Sequence, residues 1–475
     1  MTYLPYDMYA ERIARVNTVR HFGKVTQVVG MVIESAGPAI SIGRLCQIEN
    51  RDDGGRVLAE VVGFRDNHLY LMPLGPISGI TPGAIVTSTS EQLRVPVGRG
   101  LIGRVIGGLG EPIDGKGPLM TRQTRSIISE PLPALKRRRI RDAVYTGIKA
   151  IDLAATIGKG QRMGVFAGSG VGKSVMLGMI ARGSTADVNV VALVGERGRE
   201  VREFIERDLG PEGMKRTVVV AVTSDQPSLI RIKGAMVATA IAEHFRDEGM
   251  DVMLMMDSLT RIAMAQREVG IAVGEPPTAK GYTPSVFGML PRLLERSGQS
   301  DRGSITGVYT VLVEGDDFNE PISDAVRSIL DGHITLSRRL AAMNQYPAVD
   351  ILDSISRLMK EVSPPEDVEL AQKMREVLAI YRENEDLINI GAYVKGASDK
   401  IDNAIARMEP LNDFLRQGIT QLCDHAESVE QLRRIMYEEK ATAQKAGAGS
   451  DTGKKRGMTQ PKPLEQRHEE IRISP

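Results

Sequence analysis

The sequence predicts an α/β protein built on a parallel sheet, with a small all-β unit before the sheet and a helical unit after it. Three observations carry that expectation. Between about residues 145 and 360, apolar strand-like runs (QRMGVFA, VNVVALVG, RTVVVAVTS, DVMLMMD, ITGVYTVLV) alternate with helical stretches. Runs that are apolar throughout, rather than at every second residue, mark strands covered on both faces. From His21 to about Val97, short β-rich runs such as VTQVVGMVIES and GRVLAEVVGF alternate with the turn signals AGP, DDGG, LGPISG and TPG, as in a small barrel or sandwich. From 365 to 440, helical periodicity runs almost unbroken through PEDVELAQKMREVLAIYREN, SDKIDNAIARMEPLNDFLRQ and ESVEQLRRIMYEEKA.

Length and composition bound the rest. A chain of 475 residues is long enough for two to four domains at roughly 100 to 200 residues each. Lys and Arg number 61 against 60 Asp and Glu, so the net charge of +1 gives no global reason to seek nucleic acid or an acidic membrane. The two cysteines, Cys46 and Cys423, lie far apart without metal-ligand spacing; they read as buried small hydrophobes in a reducing compartment. The N-terminus lacks the order of a signal peptide, and no run reaches the roughly 20 apolar residues of a spanning helix, so a cytoplasmic location is expected.

In chain order, residues 1–20 place Tyr6, Tyr9, Ile13 and Val16 at helical spacing, an amphipathic helix that on pattern alone packs on its own domain. Residues 21–97 form the β unit. The α/β core is expected over 98–364, and its first part, GRGLIGRVIGGLGEPIDGKGPL, is too glycine-rich for one regular element and reads as a connection. The run Lys136-Arg137-Arg138-Arg139 reads as a solvated face. The helical domain spans 365–440, and residues 441–475, rich in Gly, Lys, Gln and Pro, read as a disordered tail.

The chemistry begins at Ala167-Gly168-Ser169-Gly170-Val171-Gly172-Lys173-Ser174. This is the spacing of a phosphate-binding loop (Walker A), with alanine in place of the first glycine. It follows an apolar strand and opens a helix at Val175. Such glycines let backbone N–H groups face a triphosphate, Lys173 would reach the β- and γ-phosphates, and the Ser174 hydroxyl would hold Mg²⁺. Val252 to Met256 followed by Asp257 is a buried-strand run ending in a carboxylate, suited to orienting the Mg²⁺ shell, largely through water. Glu196 ends the strand-like run of 188–194 at the same sheet edge and is the candidate base for an attacking water. Position alone leaves an ordinary surface glutamate open.

The set GSGVGKS, VGERGREV, DVMLMMDSLTRIAMAQREVG, SILDGHITLSRRLA and YPAVDILDSISRLM resembles the rotary-type hexameric ATPases, over roughly residues 20 to 435. The resemblance implies a P-loop (RecA-like) α/β core with an N-terminal β-barrel and a C-terminal helical domain. In that family Glu196 falls on the catalytic glutamate, Arg197 and Arg261 on arginines near the γ-phosphate, and Tyr346 on an aromatic against adenine. Arg357 falls on the arginine finger that a neighbouring subunit points into the site. Without the resemblance, Arg357 reads as an ion-paired surface residue and Tyr346 as a core aromatic beside Pro347.

Two segments resemble the type III secretion ATPases of flagella and injectisomes within that family. One is GEPPTAKGYTPSVFGMLPRLLERSG, residues 274 to 298. The other is LINIGAYVKG, residues 387 to 396, where the F-type β subunit carries an acidic loop. This branch implies an ATP-hydrolysing homohexamer using ATP and Mg²⁺, peripheral at the cytoplasmic face of the membrane. Its implied partners are a stator-like regulatory subunit at the N-terminal helix, a central stalk, export-gate membrane proteins, export substrates and chaperones. GYTPSVF favours the flagellar machine over the injectisome. An F-type β subunit, a non-catalytic structural subunit and a Rho-like RNA ring are the rivals; the last would want a basic, aromatic-bearing barrel surface, and this region is nearly charge-balanced, so no nucleic-acid partner is expected.

Overall fold

The computed structural model describes residues 21–437, apart from 51–53, 90, 314, 316 and 319. The expected N-terminal helix and C-terminal tail lie outside the described residues.

The first unit is a closed six-stranded barrel: β1 (Phe22–Val29), β2 (Val32–Ala36), β3 (Leu45–Glu49), β4 (Arg56–Arg65), β5 (His68–Pro73) and β6 (Ile85–Ser88), in the order β1-β2-β5-β4-β3-β6. Antiparallel pairing of β6 with β1 closes it. Alternate residues turn inward, so Ile33, Cys46, Ile48, Val61, Leu71 and Val86 fill the interior. The β4–β5 hairpin turns on Asp66 and Asn67, both at positive φ (48° and 66°), which matches the right-handed twist of its strands. Cys46 is fully buried, as its type predicts, whereas Cys423 is only partly buried. Cys423 lies in the loop before the last helix.

The core sheet contains β7 (Val105–Ile106), β8 (Arg162–Ala167), β9 (Val188–Glu196), β10 (Thr217–Thr223), β11 (Asp251–Asp257), β12 (Ser304–Leu312), β13 (Gly332–Leu336) and β14 (Val349–Ser356). Their order is β14-β13-β8-β12-β11-β9-β10-β7, with Gly298–Gln299 beside β12. These eight are parallel except β14, which runs against β13. The glycine-rich stretch read as a connection therefore supplies an edge strand. Two residues are too short to show a period, and Gly108 sits so close to Ile230 and Val222 that a Cβ there would come within 2.6 Å of the Ile230 side chain.

Both faces of the sheet are covered. Val190, Ala192 and Val194 of β9 join the cluster under α2 (Ser228–Asp247), while Val191 and Leu193 join the opposite one with Met176, Leu177 and Ile180 of α1 (Lys173–Gly183). That is why the strands read as unbroken apolar runs. Ser258 caps α3 (Leu259–Ala272), accepting from the Arg261 N–H.

The last helices are α4 (Pro365–Asn389), α5 (Asp399–Leu415) and α6 (His425–Tyr437). Leu370, Met374, Leu411, Phe414 and Leu432 bury into the α1-side cluster, so these helices share their apolar packing with the core. The turn between α4 and α5 passes Gly391 and Gly396, both at positive φ (71° and 91°), and leaves Ile390 and Val394 exposed. No helix among the described residues is long and apolar enough to cross a membrane.

Candidate nucleotide site

β8 ends at Ala167, and the chain turns through Gly168-Ser169-Gly170-Val171-Gly172 before α1 starts at Lys173. Gly170 and Gly172 hold φ of 79° and 88°, a region that penalises side chains. The turn places a helix N-terminus and its free N–H groups at the C-terminal edge of the parallel sheet, where positive potential is concentrated. A cavity of about 610 Å³ opens there, lined by Gly168, Ser169, Gly170, Gly172, Lys173, Ser174 and Val175 from this loop and helix. Glu196 and Arg197 at the end of β9, Glu200 and Arg207 beyond it, Arg261 of α3 and Arg338 complete the polar wall.

Asp257 ends β11 at 2% exposure and accepts from the Lys173 Nζ at 2.5 Å and from the Thr310 hydroxyl at 2.7 Å. The same Nζ lies 3.6 Å from Glu196 Oε1. Arg261 Nε lies 3.3 Å from that oxygen, near enough for an ion pair yet poorly angled for a hydrogen bond, so both atoms are buried without a hydrogen-bond partner. Burial first, then the charge of Asp257, pushes the Glu196 carboxyl up to about 7, against the opposing pull of Lys173. A hydrogen bond with Glu200 adds to the rise, and the same bond holds the Glu200 carboxyl below its ordinary range. The site thus holds one buried carboxylate paired with the lysine and one poised between protonation states near neutrality.

A second cavity, about 530 Å³, adjoins the loop on its other side and is lined by Val171, Gly172, Val175, Leu336, Tyr346 and Ile419 among others. The Tyr346 ring lies against Gly172, where a Cβ would sit 3.5 Å from it. Tyr346 is 38% exposed, so the core-aromatic reading does not hold for it.

Arg357 is not part of either cavity in its own chain. It follows β14, whose last residue Ser356 pairs with Gly332 at the start of β13, and its N–H donates to the Asp331 carbonyl at 3.0 Å. β13 runs parallel to β8, so Arg357 lies at the Arg162 end of the sheet and the glycine loop at the Ala167 end, about 16 Å along a six-residue strand. The guanidinium is exposed and makes no ion pair among the described residues, unlike the ion-paired surface arginine that its type suggests.

Sequence reasoning gave no role to Glu200, Arg207, Thr310 or Arg338. Arg338 opens the short helix Arg338–Ala342, and a Cβ on Gly168 would come within 2.6 Å of its guanidinium. Its only sequence signal is the pair of arginines in TLSRRLA, which no spacing rule links to the loop 170 residues earlier. In the run 136–139, Arg137 is tied to Glu295 at 2.9 Å and to the Glu295 carbonyl, while Lys136, Arg138 and Arg139 are exposed.

Family models match three consecutive parts of the chain: the ATP synthase alpha/beta family β-barrel domain over residues 25–90, its nucleotide-binding domain over 147–356, and the T3SS EscN ATPase C-terminal domain over 363–434. The flagellum-specific ATP synthase of Bacillus subtilis is 55% identical over 426 residues, 89% of this chain and 97% of that protein. The type 3 secretion system ATPase of Xanthomonas euvesicatoria is 48% identical, over 89% of this chain and 96% of the relative. Among solved structures, the assembled ATPase EscN of the enteropathogenic E. coli type III secretion system superposes with a TM-score of 0.83 at 42% identity, covering 87% of this chain and all of that one. With barrel, nucleotide-binding core and C-terminal helices all matched in order, the chain belongs to the type III secretion and flagellum-specific ATPases of the ATP synthase alpha/beta family.

Proposed function

We propose that this ATPase hydrolyses ATP as a homohexamer and couples the reaction to unfolding, release and delivery of export substrates for flagellar assembly. The observation that supports catalysis rather than nucleotide binding alone is the Glu196 carboxyl, raised to about 7 and facing the glycine loop. A base needs a pKa near the working pH, and burial supplies it. The N–H groups of 168–175 and the Lys173 ammonium bind the triphosphate, Tyr346 packs on the base, and Glu196 orients and deprotonates water. Arg197 and Arg261 offset charge on the transferring phosphoryl group. Ser174 and Asp257 are hard oxygen donors, the chemistry Mg²⁺ requires, and few protein ligands suffice because Mg²⁺ keeps most of its water. Bound there, Mg²⁺ would neutralise charge on the phosphate oxygens. Lys173 leaves Asp257 for the phosphates when nucleotide enters.

Arg357 completes the site from the adjacent subunit, because its own chain's loop is at the far end of β8. Closure of each interface on ATP and its opening on product release would move the helical domain, since only differential affinity for two states can shift them. EscN has been solved in complex with its central stalk EscO, at 41% identity to this chain; by analogy a stalk occupies the centre of the ring here. The remaining partners proposed are a stator-like subunit at residues 1–20, the export gate, substrates and chaperones, at the cytoplasmic face of the membrane.

Lys173→Ala should abolish hydrolysis in a folded protein. Glu196→Gln should keep ATP binding, measured with a fluorescent analogue, and lose turnover; loss of both together would make Glu196 a structural residue. Affinity isolation from native cells should recover flagellar export proteins, and injectisome components would reassign the machine while leaving the chemistry.

A further inference from the structure

The loop-bearing strand β8 is anchored at its other end to the segment that carries Arg357. At that end, Asp331 Oδ2 accepts from the Arg162 N–H at 3.1 Å and from Arg162 Nε at 3.0 Å, and Oδ1 accepts from Nη2 at 3.1 Å. The Asp331 N–H returns a bond to the Arg162 carbonyl at 2.9 Å, and the Asp331 carbonyl takes the Arg357 N–H. Arg162 also pairs with Glu295, which is held in turn by Arg137. Arg162 is 14% exposed, and burial, which opposes its charge, is outweighed by the Asp331 and Glu295 carboxylates. A bidentate arginine–carboxylate pair of this kind fixes orientation as well as distance.

The flanking strand is fixed independently. Arg375 of α4 donates to the carbonyls of Ile351 at 2.5 Å and Ser354 at 2.8 Å in β14, and to Ala154 at 2.7 Å. Arg357 is thus the free end of a segment pinned by Asp331 on one side and by α4 on the other. None of Arg162, Asp331 or Arg375 lines the nucleotide cavity of its own chain.

We propose that Asp331 and Arg162 are positioning residues for Arg357, setting the angle at which one subunit offers its guanidinium to the next subunit's nucleotide, and that β8 thereby ties a subunit's own glycine loop to the finger it lends. This rests on the reading of Arg357 as a finger acting in trans. Its signature is that damage at Asp331 appears in the neighbour's site.

The test compares Asp331→Asn and Arg162→Lys with Arg357→Ala, each alone and mixed with Lys173→Ala subunits, with ring formation followed by light scattering. Asp331→Asn keeps the backbone bond to Arg357 and loosens its anchor. Binding of a fluorescent ATP analogue should stay within about twofold of wild type. Turnover at saturating ATP should fall about 10- to 100-fold, the scale of an ångström-sized misplacement. Mixing with Lys173→Ala should restore turnover, because at some interfaces an intact loop then meets an intact finger. Arg162→Lys, which retains the charge, should give the same pattern in milder form and serves if the asparagine variant fails to fold. Rescue of Arg357→Ala without rescue of either anchor variant would overturn the positioning role and leave the finger standing. No rescue of any variant in mixed rings that demonstrably form would overturn the finger and the positioning role with it, and wild-type turnover in both anchor variants would overturn the positioning role alone.

Discussion

At the scale of single residues, Glu196 is the group whose environment has the clearest consequence. Its raised pKa means the carboxylate, the form a base needs, gains population only as pH rises through about 7. The profile of kcat/KM, which reports the free enzyme, should therefore climb between roughly pH 6 and 8 rather than be flat above pH 5. Part of that rise comes from Glu200, whose carboxylate accepts the proton of neutral Glu196 and so favours the protonated form. Glu200→Ala removes that acceptor, and the limb of the profile should move to lower pH; a move to higher pH would reverse the assigned direction of the bond. The glycine loop, Asp257 and Glu196 were legible in the sequence because each ends an apolar strand run, and ends of parallel strands converge on one edge. Glu200 and Arg338, which reach the cavity, and Thr310, which holds Asp257 from within the sheet, were not, since each acts by a side-chain direction that no periodicity encodes.

Between elements, the barrel meets the core through a buried ion pair, Lys233 Nζ of α2 with Glu60 Oε1 of β4 at 2.7 Å, their side chains 5% and 9% exposed. Removing one partner leaves a buried charge with no counter-charge, so Lys233→Met should cost about 3 to 5 kcal/mol. Lys233→Met with Glu60→Leu, which removes both charges, should recover most of that, and urea denaturation of the single and double variants measures the difference. A single variant as stable as wild type would mean that solvent reaches Glu60. Neither residue stood out in the sequence, where each is one charge among 121. What was legible between elements was the two-sided burial of β9 to β12, because unbroken apolar runs have few other homes. The edge strand β7 was hidden by its length and by Gly107 and Gly108, which look like a linker, although Gly108 serves close packing on Ile230 of α2 and Gly107 sits against Glu111.

At the scale of the whole molecule, Arg357 at one end of β8 and the glycine loop at the other would, on the proposed reading of Arg357 as a finger, make the folded subunit an incomplete enzyme. On that reading its loop binds nucleotide, Glu196 orients water, and Arg197 and Arg261 lend charge from within the chain, but Arg357 does not line its own chain's cavity and its added charge has to come from next door. In P-loop GTPases such a finger contributes about 10³ to 10⁵ in rate. Turnover per subunit should therefore rise steeply with protein concentration as rings assemble, while nucleotide affinity changes little. ATPase assays across a dilution series, with assembly followed by sedimentation velocity on the same samples, separate the two quantities. Arg357→Ala should assemble over the same concentration range and stay at the low rate of the dilute protein, because its surface is intact and only the guanidinium is missing. Full turnover in samples that sediment as single subunits would mean that the site is complete within one chain, and Arg357 would then have to act on the outside of the fold in some other capacity.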